Sequence, residues 1–180
     1  GAEETKLVEK GKSQFGGIEI AGKTLGVIGL GAIGVKVANA AVALDMRVLG
    51  YDPYLTDENK SKLDPTISLV SMEEVLAKSD FVTLHLPYLE ATKNMINADT
   101  IAKMKTGAVL INLSRGELVN TTDIKAALDS GKIRRYVVDF PTEDIIGYPK
   151  IISIPHLGAS TEEAEDNCAV MAAAQLKDYL

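Results

Sequence analysis

Residues 26–34 read Gly-Val-Ile-Gly-Leu-Gly-Ala-Ile-Gly, and an acidic residue, Asp52, stands at the end of the next apolar run. Glycines also cluster in ordinary turns, so the flanking sequence decides what this run means. Thr24 to Leu30 is a β-branched, apolar stretch, Ala32 to Leu44 is rich in alanine without a breaker, and Arg47 to Tyr51 reads as a second strand. The run therefore predicts a strand, a tight turn and a helix. Gly29 permits the turn, Gly31 lets the backbone approach a ligand without an intervening Cβ, and Gly34 lets the helix lie close on the strand. Such a helix start presents unpaired N–H groups to an anion, which is how a chain cradles the pyrophosphate of a dinucleotide.

Asp52 then falls where a carboxylate can accept hydrogen bonds from both adenosine ribose hydroxyls. An Asp before Pro53 also suits the start of a turn, and the two readings are compatible. Because Pro53, Tyr54 and Leu55 follow with no Arg or Lys to neutralise a 2′-phosphate, NAD is expected rather than NADP.

Strand and helix signals alternate beyond the fingerprint, the pattern of an α/β, doubly wound parallel sheet of the Rossmann type. Ser71 and Glu74 make a capping box for a helix to about Lys78, and Phe81 to Leu86 reads as a strand. Thr92 to Lys105 is expected to be helical, Ala108 to Leu113 extended, and Asn120 or Thr121 to cap a helix that stops at Gly131. Tyr136 to Asp139 and Ile151 to Ile154 complete the strands. Ser160 and Glu163 form a second capping box, opening a last helix whose Ala164, Cys168, Met171, Ala172, Leu176 and Tyr179 share one face. That spacing predicts Cys168 in a core. The first dozen residues, with Leu7 and Val8 among charges, predict one exposed or partner-dependent helix.

Composition limits the partners. With 180 residues, 46% of them hydrophobic, the chain can bury one sizeable core, and a formal charge of −6 disfavours nucleic acid or an anionic membrane as a partner. A single cysteine precludes an internal disulfide and suits a reducing, cytoplasmic setting; one Cys and two His cannot assemble a Cys/His metal cluster. No apolar run approaches the ~18 residues of a membrane span.

Ligands of such sheets bind beyond the carboxyl ends of the strands. That rule selects Asp52, His85-Leu86-Pro87, Leu113-Ser114-Arg115-Gly116, Asp139 with Glu143 and Asp144, and His156-Leu157-Gly158. A histidine, a carboxylate and an arginine together suit hydride chemistry at a carbinol carbon: the first exchanges the hydroxyl proton, the second orients it, the third grips a carboxylate. Each also has a plainer reading, as solvated surface charge or a loop histidine bonded to backbone. Their convergence on one sheet edge, beside the glycine run, favours chemistry.

In order, GKTLGVIGLGAIG, YDPY, HLP, KMKTGAVLINLSRGELV, VVDFPTE and IPHLGAST resemble the cofactor domain of NAD-dependent D-2-hydroxyacid dehydrogenases. The resemblance implies that Ala32 and Ile33 hold the pyrophosphate through their N–H groups and that Leu86 and Pro87 wall the adenine side. It places Leu113, Ser114 and Asp139 near the nicotinamide, and Gly158 and Ala159 beside His156. It makes His156 the general acid/base and Arg115 the residue on the substrate carboxylate and carbonyl. The family commonly has Asp-Val-Phe, two residues, then Glu-Pro, whereas Asp139-Phe140-Pro141-Thr142-Glu143-Asp144 is one residue short on one alignment. Glu143 is therefore expected to partner His156, by its longer reach, with Asp144 as the alternative.

The same resemblance implies a substrate-binding domain closing over the cofactor domain, absent from this sequence at both ends. Residues 1–180 are thus expected to form one NAD-binding domain, with 3–14 and 161–180 as crossover helices. Such a chain binds NAD but turns over poorly. The implied partners are a small 2-hydroxy acid and a second copy, in a homodimer. Two other readings stand beside this one: another 2-hydroxyacid dehydrogenase, such as a glyoxylate or hydroxypyruvate reductase, and a NAD-responsive binding or corepressor protein on the same fold.

Overall fold

The computed structural model describes residues 1–12, 16–158 and 160–179. Its strands are β1 (Thr24–Ile28), β2 (Arg47–Tyr51), β3 (Ser68–Leu69), β4 (Phe81–Leu84), β5 (Ala108–Asn112), β6 (Ile133–Val138) and β7 (Ile151–Ser153). They form one parallel sheet in the order β3-β2-β1-β4-β5-β6-β7. The chain runs outward from β1 to β3, then returns to the other side of β1. The crevice between the carboxyl ends of β1 and β4 is thus the topological switch point, where such sheets bind ligands.

The helices are α1 (Ala2–Gly11), α2 (Ala32–Ala43), α3 (Asp57–Ser61), α4 (Met72–Lys78), α5 (Ala98–Lys103), α6 (Thr121–Asp129) and α7 (Glu162–Tyr179). Strands covered on both faces must be apolar throughout, and every residue of β1 is buried. On one face Leu25, Val27 and Val48 pack with Val35, Ala38 and Ala41 of α2; on the other, Ile28, Leu84 and Leu110 pack with Val75, Ile101 and Ile124 from α4, α5 and α6. Among the buried polar residues, Asn112 ends β5 and Asp139 follows β6, both at the carboxyl edge.

The start of α4 is as expected: Ser71 Oγ accepts from the Glu74 N–H at 3.2 Å. Asn120, rather than Thr121, caps α6, accepting from the Asp123 N–H at 3.1 Å. The expected helix over 92–105 is instead the short α5. The N–H groups of Asn94 and Ile96 donate to the carbonyls of Glu117 and Leu118 at 2.8 and 3.0 Å, which holds this stretch against a neighbouring loop, and Asn97 with Thr100 opens the helix by a capping box. The last helix begins one residue later than expected, with Thr161 Oγ1 accepting from the Ala164 N–H at 3.1 Å where Ser160 was the expected cap.

A second correction concerns the packing of α7. None of its described residues is buried, and Cys168 is exposed, because no other described element packs over its apolar face. The short α3 and β3, without an apolar period of their own, have no counterpart in the sequence expectations. Residues 3–10 of the N-terminal helix are exposed, with Leu7 and Val8 facing solvent. Residues 13 and 14 of the expected crossover helix lie outside the described residues.

Candidate active site

The glycine run makes the turn for three different reasons. Gly29 has φ of +94°, its N–H donates to the Tyr51 carbonyl at 2.8 Å, and a Cβ there would lie 2.4 Å from the His85 carbonyl oxygen. A Cβ on Gly34 would lie 1.9 Å from the Gly29 carbonyl oxygen. Gly31 is different: its φ of −70° suits any residue, and a Cβ would meet nothing within 4 Å. Nothing in the protein demands glycine there. The space a Cβ would take is left open beside the start of α2.

The start of α2 shares that openness. Helices α3, α4, α5 and α6 each have a side-chain cap, from Thr56, Ser71, Asn97 and Asn120, but Gly31 offers none to α2. The first N–H groups of α2 therefore open without a side-chain cap onto a cleft of about 860 Å³ lined by Gly31, Ala32, Ile33 and Gly34. Orphan helix donors of this kind bind phosphate. Beside them, Asp52 accepts from the Leu30 N–H at 2.8 Å and the Tyr54 N–H at 2.8 Å, one on each oxygen. This joins the turn after β1 to the end of β2. Each carboxylate oxygen keeps a further lone pair for a ribose hydroxyl.

The cleft continues along His85, Leu86 and Pro87 after β4, Leu113, Ser114 and Arg115 after β5, Asp139 after β6, and residues 154–158 after β7. Twelve of the expected site residues therefore line it: Gly31, Ala32, Ile33, Gly34, Leu86, Pro87, Leu113, Ser114, Arg115, Asp139, His156 and Gly158; Asp52 is tied to the turn beside it through the Leu30 N–H. Gly29 lies behind it, shaping the turn. Ala159 lies outside the described residues. His85, Ile154, Pro155 and Leu157 also line the cleft. His85 is largely buried, which pushes its imidazole below the ordinary value, and its Nε2 meets Thr83 Oγ1 at 3.1 Å.

The far end holds the reactive groups. Buried Asn112 donates from Nδ2 to the Arg115 carbonyl at 2.8 Å, while its Oδ1 accepts from the Ser114 N–H at 3.2 Å; Ser114 Oγ donates to the Leu84 carbonyl at 2.6 Å. This network fixes the backbone that carries Arg115. The Arg115 guanidinium lies over the Phe140 ring, 5.4 Å from its centroid, and the His156 ring lies against Phe140 at 4.1 Å between centroids. Phe140 thus packs against both the cation and the imidazole. It escaped the sequence reading, although its place directly after Asp139 at a strand end was the available signal.

The partner of His156 is a correction. Its Nδ1 lies 2.9 Å from Asp139 Oδ2, and Glu143 does not contact it. Because an ionised carboxylate only accepts, Nδ1 donates and Nε2 is left for proton exchange. Asp144 does not serve either: it accepts from Lys125 at 2.7 Å and from Thr142 Oγ1 at 2.5 Å, contacts that hold its carboxyl below the ordinary value. The physical reason is the short loop. Buried Ile145 donates its N–H to the Thr142 carbonyl at 3.1 Å, a turn that leaves Glu143 in solvent and sends Asp144 toward α6. Among the described residues no group of three or more His, Cys, Asp or Glu is placed to hold a metal ion, and no helix is long and apolar enough to cross a membrane.

A switch-point cleft with an uncapped glycine-led helix at one end and an Arg/His pair at the other defines a dinucleotide-binding domain of the doubly wound class. Residues 2–158 match the family described as D-isomer specific 2-hydroxyacid dehydrogenase, NAD binding domain, and the chain belongs to that family. It is 41% identical over 94% of its length to D-3-phosphoglycerate dehydrogenase of Synechocystis sp., of which it spans 31%. In structure it matches the pyruvate reductase of Chlamydomonas reinhardtii with a TM-score of 0.80 at 29% identity, covering 98% of this chain and 61% of that one. It also matches D-lactate dehydrogenase with NAD+ from Lactobacillus jensenii, with a TM-score of 0.75 at 29% identity, covering 89% and 56%. NAD is the family's cofactor.

Proposed function

We propose that this chain is the cofactor half of an NAD-dependent dehydrogenase that oxidises the 2-hydroxyl of D-3-phosphoglycerate. The observation that carries the reading is Arg115 and His156 both held against Phe140, at the end of the cleft away from the glycine-led turn. NAD, when bound, supplies a hydride acceptor at nicotinamide C4. His156 Nε2 takes the hydroxyl proton as the C2 hydride leaves, so the alcohol becomes a ketone and the imidazole an imidazolium. Asp139 holds the ring by Nδ1 and stabilises that imidazolium. Arg115 binds the substrate carboxylate and polarises the developing carbonyl. At the cofactor end, Ala32 and Ile33 bind the pyrophosphate and Asp52 the ribose.

The choice of 3-phosphoglycerate rests on relatives such as the D-3-phosphoglycerate dehydrogenase of Synechocystis sp., of which this chain spans 31%. Arg115 is exposed and the His156 side chain is 48% exposed, whereas hydride transfer needs water excluded. We therefore infer that residues 1–180 bind NAD but turn over poorly unless joined to a substrate-binding domain. The unburied α1 and α7 suit crossover helices to such a domain, and a homodimer of cofactor domains, in the cytoplasm, completes the reading.

The test is NADH formation from 3-phosphoglycerate by the domain joined to its substrate-binding partner. The expected result is turnover that falls by about 10³-fold in His156→Ala with NAD affinity nearly unchanged. Preference for glyoxylate or hydroxypyruvate would transfer the substrate assignment to that class of reductase. Fast turnover by residues 1–180 alone would contradict the need for a second domain, and sedimentation as a monomer would contradict the dimer.

A further inference from the structure

Phe140 belongs to neither of the hydrophobic clusters that hold the sheet, although it comes directly after buried Asp139 at the end of β6. A ring of that size ordinarily serves a core. This one is half-buried and lies instead against two polar groups: the Arg115 guanidinium, 5.4 Å from its centroid, and the His156 imidazole, 4.1 Å between centroids and tilted by 34°. The ring lines a hollow of about 600 Å³ but not the cleft that Arg115 and His156 line. A molecule seated in the cleft would therefore meet the two polar groups and not the ring.

Each of those groups is otherwise loosely held. Arg115 is exposed, no carboxylate among the described residues pairs with it, and its Nη1 donates to the Ser114 carbonyl at 2.7 Å. His156 is held at one edge by Asp139 Oδ2, 2.9 Å from Nδ1, and its side chain is 48% exposed. An edge contact leaves a ring free to tilt about it, and an exposed arginine keeps many rotamers. One aromatic ring against both removes that freedom while leaving His156 Nε2 and the remaining Arg115 donors unspent. It also suits the charge that the reaction generates. As His156 takes a proton it becomes a second cation on the same ring, and the negative face of an aromatic quadrupole stabilises cations.

We propose that Phe140 is a positioning residue for hydride transfer, whose ring holds the substrate-gripping guanidinium and the proton-exchanging imidazole in a fixed relation without touching substrate or cofactor. This rests on the roles proposed above for Arg115 and His156. The test compares Phe140→Leu, which keeps an apolar side chain without a ring, with Phe140→Tyr, which keeps the ring. In the domain joined to its substrate-binding domain, Phe140→Leu is expected to lower kcat for 3-phosphoglycerate by about ten- to a hundredfold and to raise KM about threefold or more, with NAD affinity and denaturant midpoint unchanged. Phe140→Tyr is expected to stay within about threefold of wild type in both constants. A residue acting through His156 has nothing to act through once that ring is gone. In a His156→Ala background, Phe140→Leu is therefore expected to leave kcat within about twofold while KM still rises. On residues 1–180 alone, nitrogen NMR relaxation is expected to show the Arg115 guanidinium and the His156 ring more mobile in Phe140→Leu and unchanged in Phe140→Tyr, with Arg115→Lys and His156→Gln identifying the signals.

The proposal is overturned if Phe140→Leu leaves kcat and KM at wild-type values, if Phe140→Tyr loses as much as Phe140→Leu, or if the loss in kcat is the same with and without His156. A fall in denaturant midpoint and NAD affinity alongside activity also overturns it, since that is the signature of a ring needed only for folding. If the joined wild-type enzyme oxidises no 3-phosphoglycerate, the functional reading fails by itself and the NMR comparison decides. Loosening of both groups in Phe140→Leu but not in Phe140→Tyr then supports the positioning role, and equal mobility in the two variants overturns it.

Discussion

Gly31 and Gly34 stand three positions apart and are glycine for opposite reasons. At Gly34 the protein forbids a Cβ, whereas at Gly31 the protein leaves one room. Gly34→Val should therefore destabilise the fold by about 3 kcal/mol or more, as an overpacked site with no room to yield. Gly31→Val should change stability by no more than about 1 kcal/mol while lowering NAD affinity at least about tenfold. Denaturant unfolding and calorimetry on the two variants check the contrast, and a loss of stability at Gly31 would contradict the reading of that space as a ligand's. Asp52→Ala removes an acceptor shared by Leu30 and Tyr54 as well as the proposed ribose ligand, and NAD affinity should fall about ten- to a hundredfold, as judged by titration. These residues were legible in the sequence because their constraint lies within a few positions of chain. The pairing of Asp139 with His156 and the place of Phe140 were not, since which carboxylate meets His156 depends on the path of a loop across 17 residues. Side-chain reach favoured Glu143; the turn anchored by Ile145 decided otherwise.

Elements with a strong apolar run or a side-chain cap could be read directly. Strand β2 matches its expected span, and β1, β4 and β5 differ only at their carboxyl ends, where the pairing stops and the site loops begin. Helix α5 could not be read from propensity, because Asn94 and Ile96 give their N–H groups to residues 117–118, a contact distant in sequence. Asn97 sets its start through the N–H groups of Asp99 and Thr100 at 3.1 and 3.2 Å. Asn97→Ala should cost about 1 kcal/mol, visible as a lower denaturant midpoint with an unchanged slope. An unchanged midpoint would mean that the 94–117 contact alone places the helix. The period of α7 shows the complementary limit: it identifies an apolar face without saying what covers it.

Across the whole molecule, the parallel sheet brings the ends of β1, β2, β4, β5, β6 and β7 to one edge, and from that edge come both the phosphate-binding turn and the Arg115, Phe140 and His156 assembly. The same packing buries His85, whose imidazole is pushed below its ordinary value of 6.5 by loss of solvent. The unfolded chain then binds more protons than the folded one below about pH 6.5, so stability should rise with pH through that window. The contribution should be complete above the unfolded value and be lost as the pH falls toward the folded one. Unfolding free energies measured between about pH 5.5 and 7.5 should show this slope, and His85→Gln should flatten it. A slope that persists in the variant would assign it to other groups.

The central claim is that the turn at residues 26–34, with Asp52 beside it, makes residues 1–180 an NAD-binding domain in their own right. Calorimetric titration of this chain with NAD and with NADP tests it most directly. The account predicts one saturable site for NAD and at least about tenfold weaker binding of NADP, whose 2′-phosphate would face the Asp52 carboxylate. Equal affinity for the two, or no binding of NAD, would contradict it.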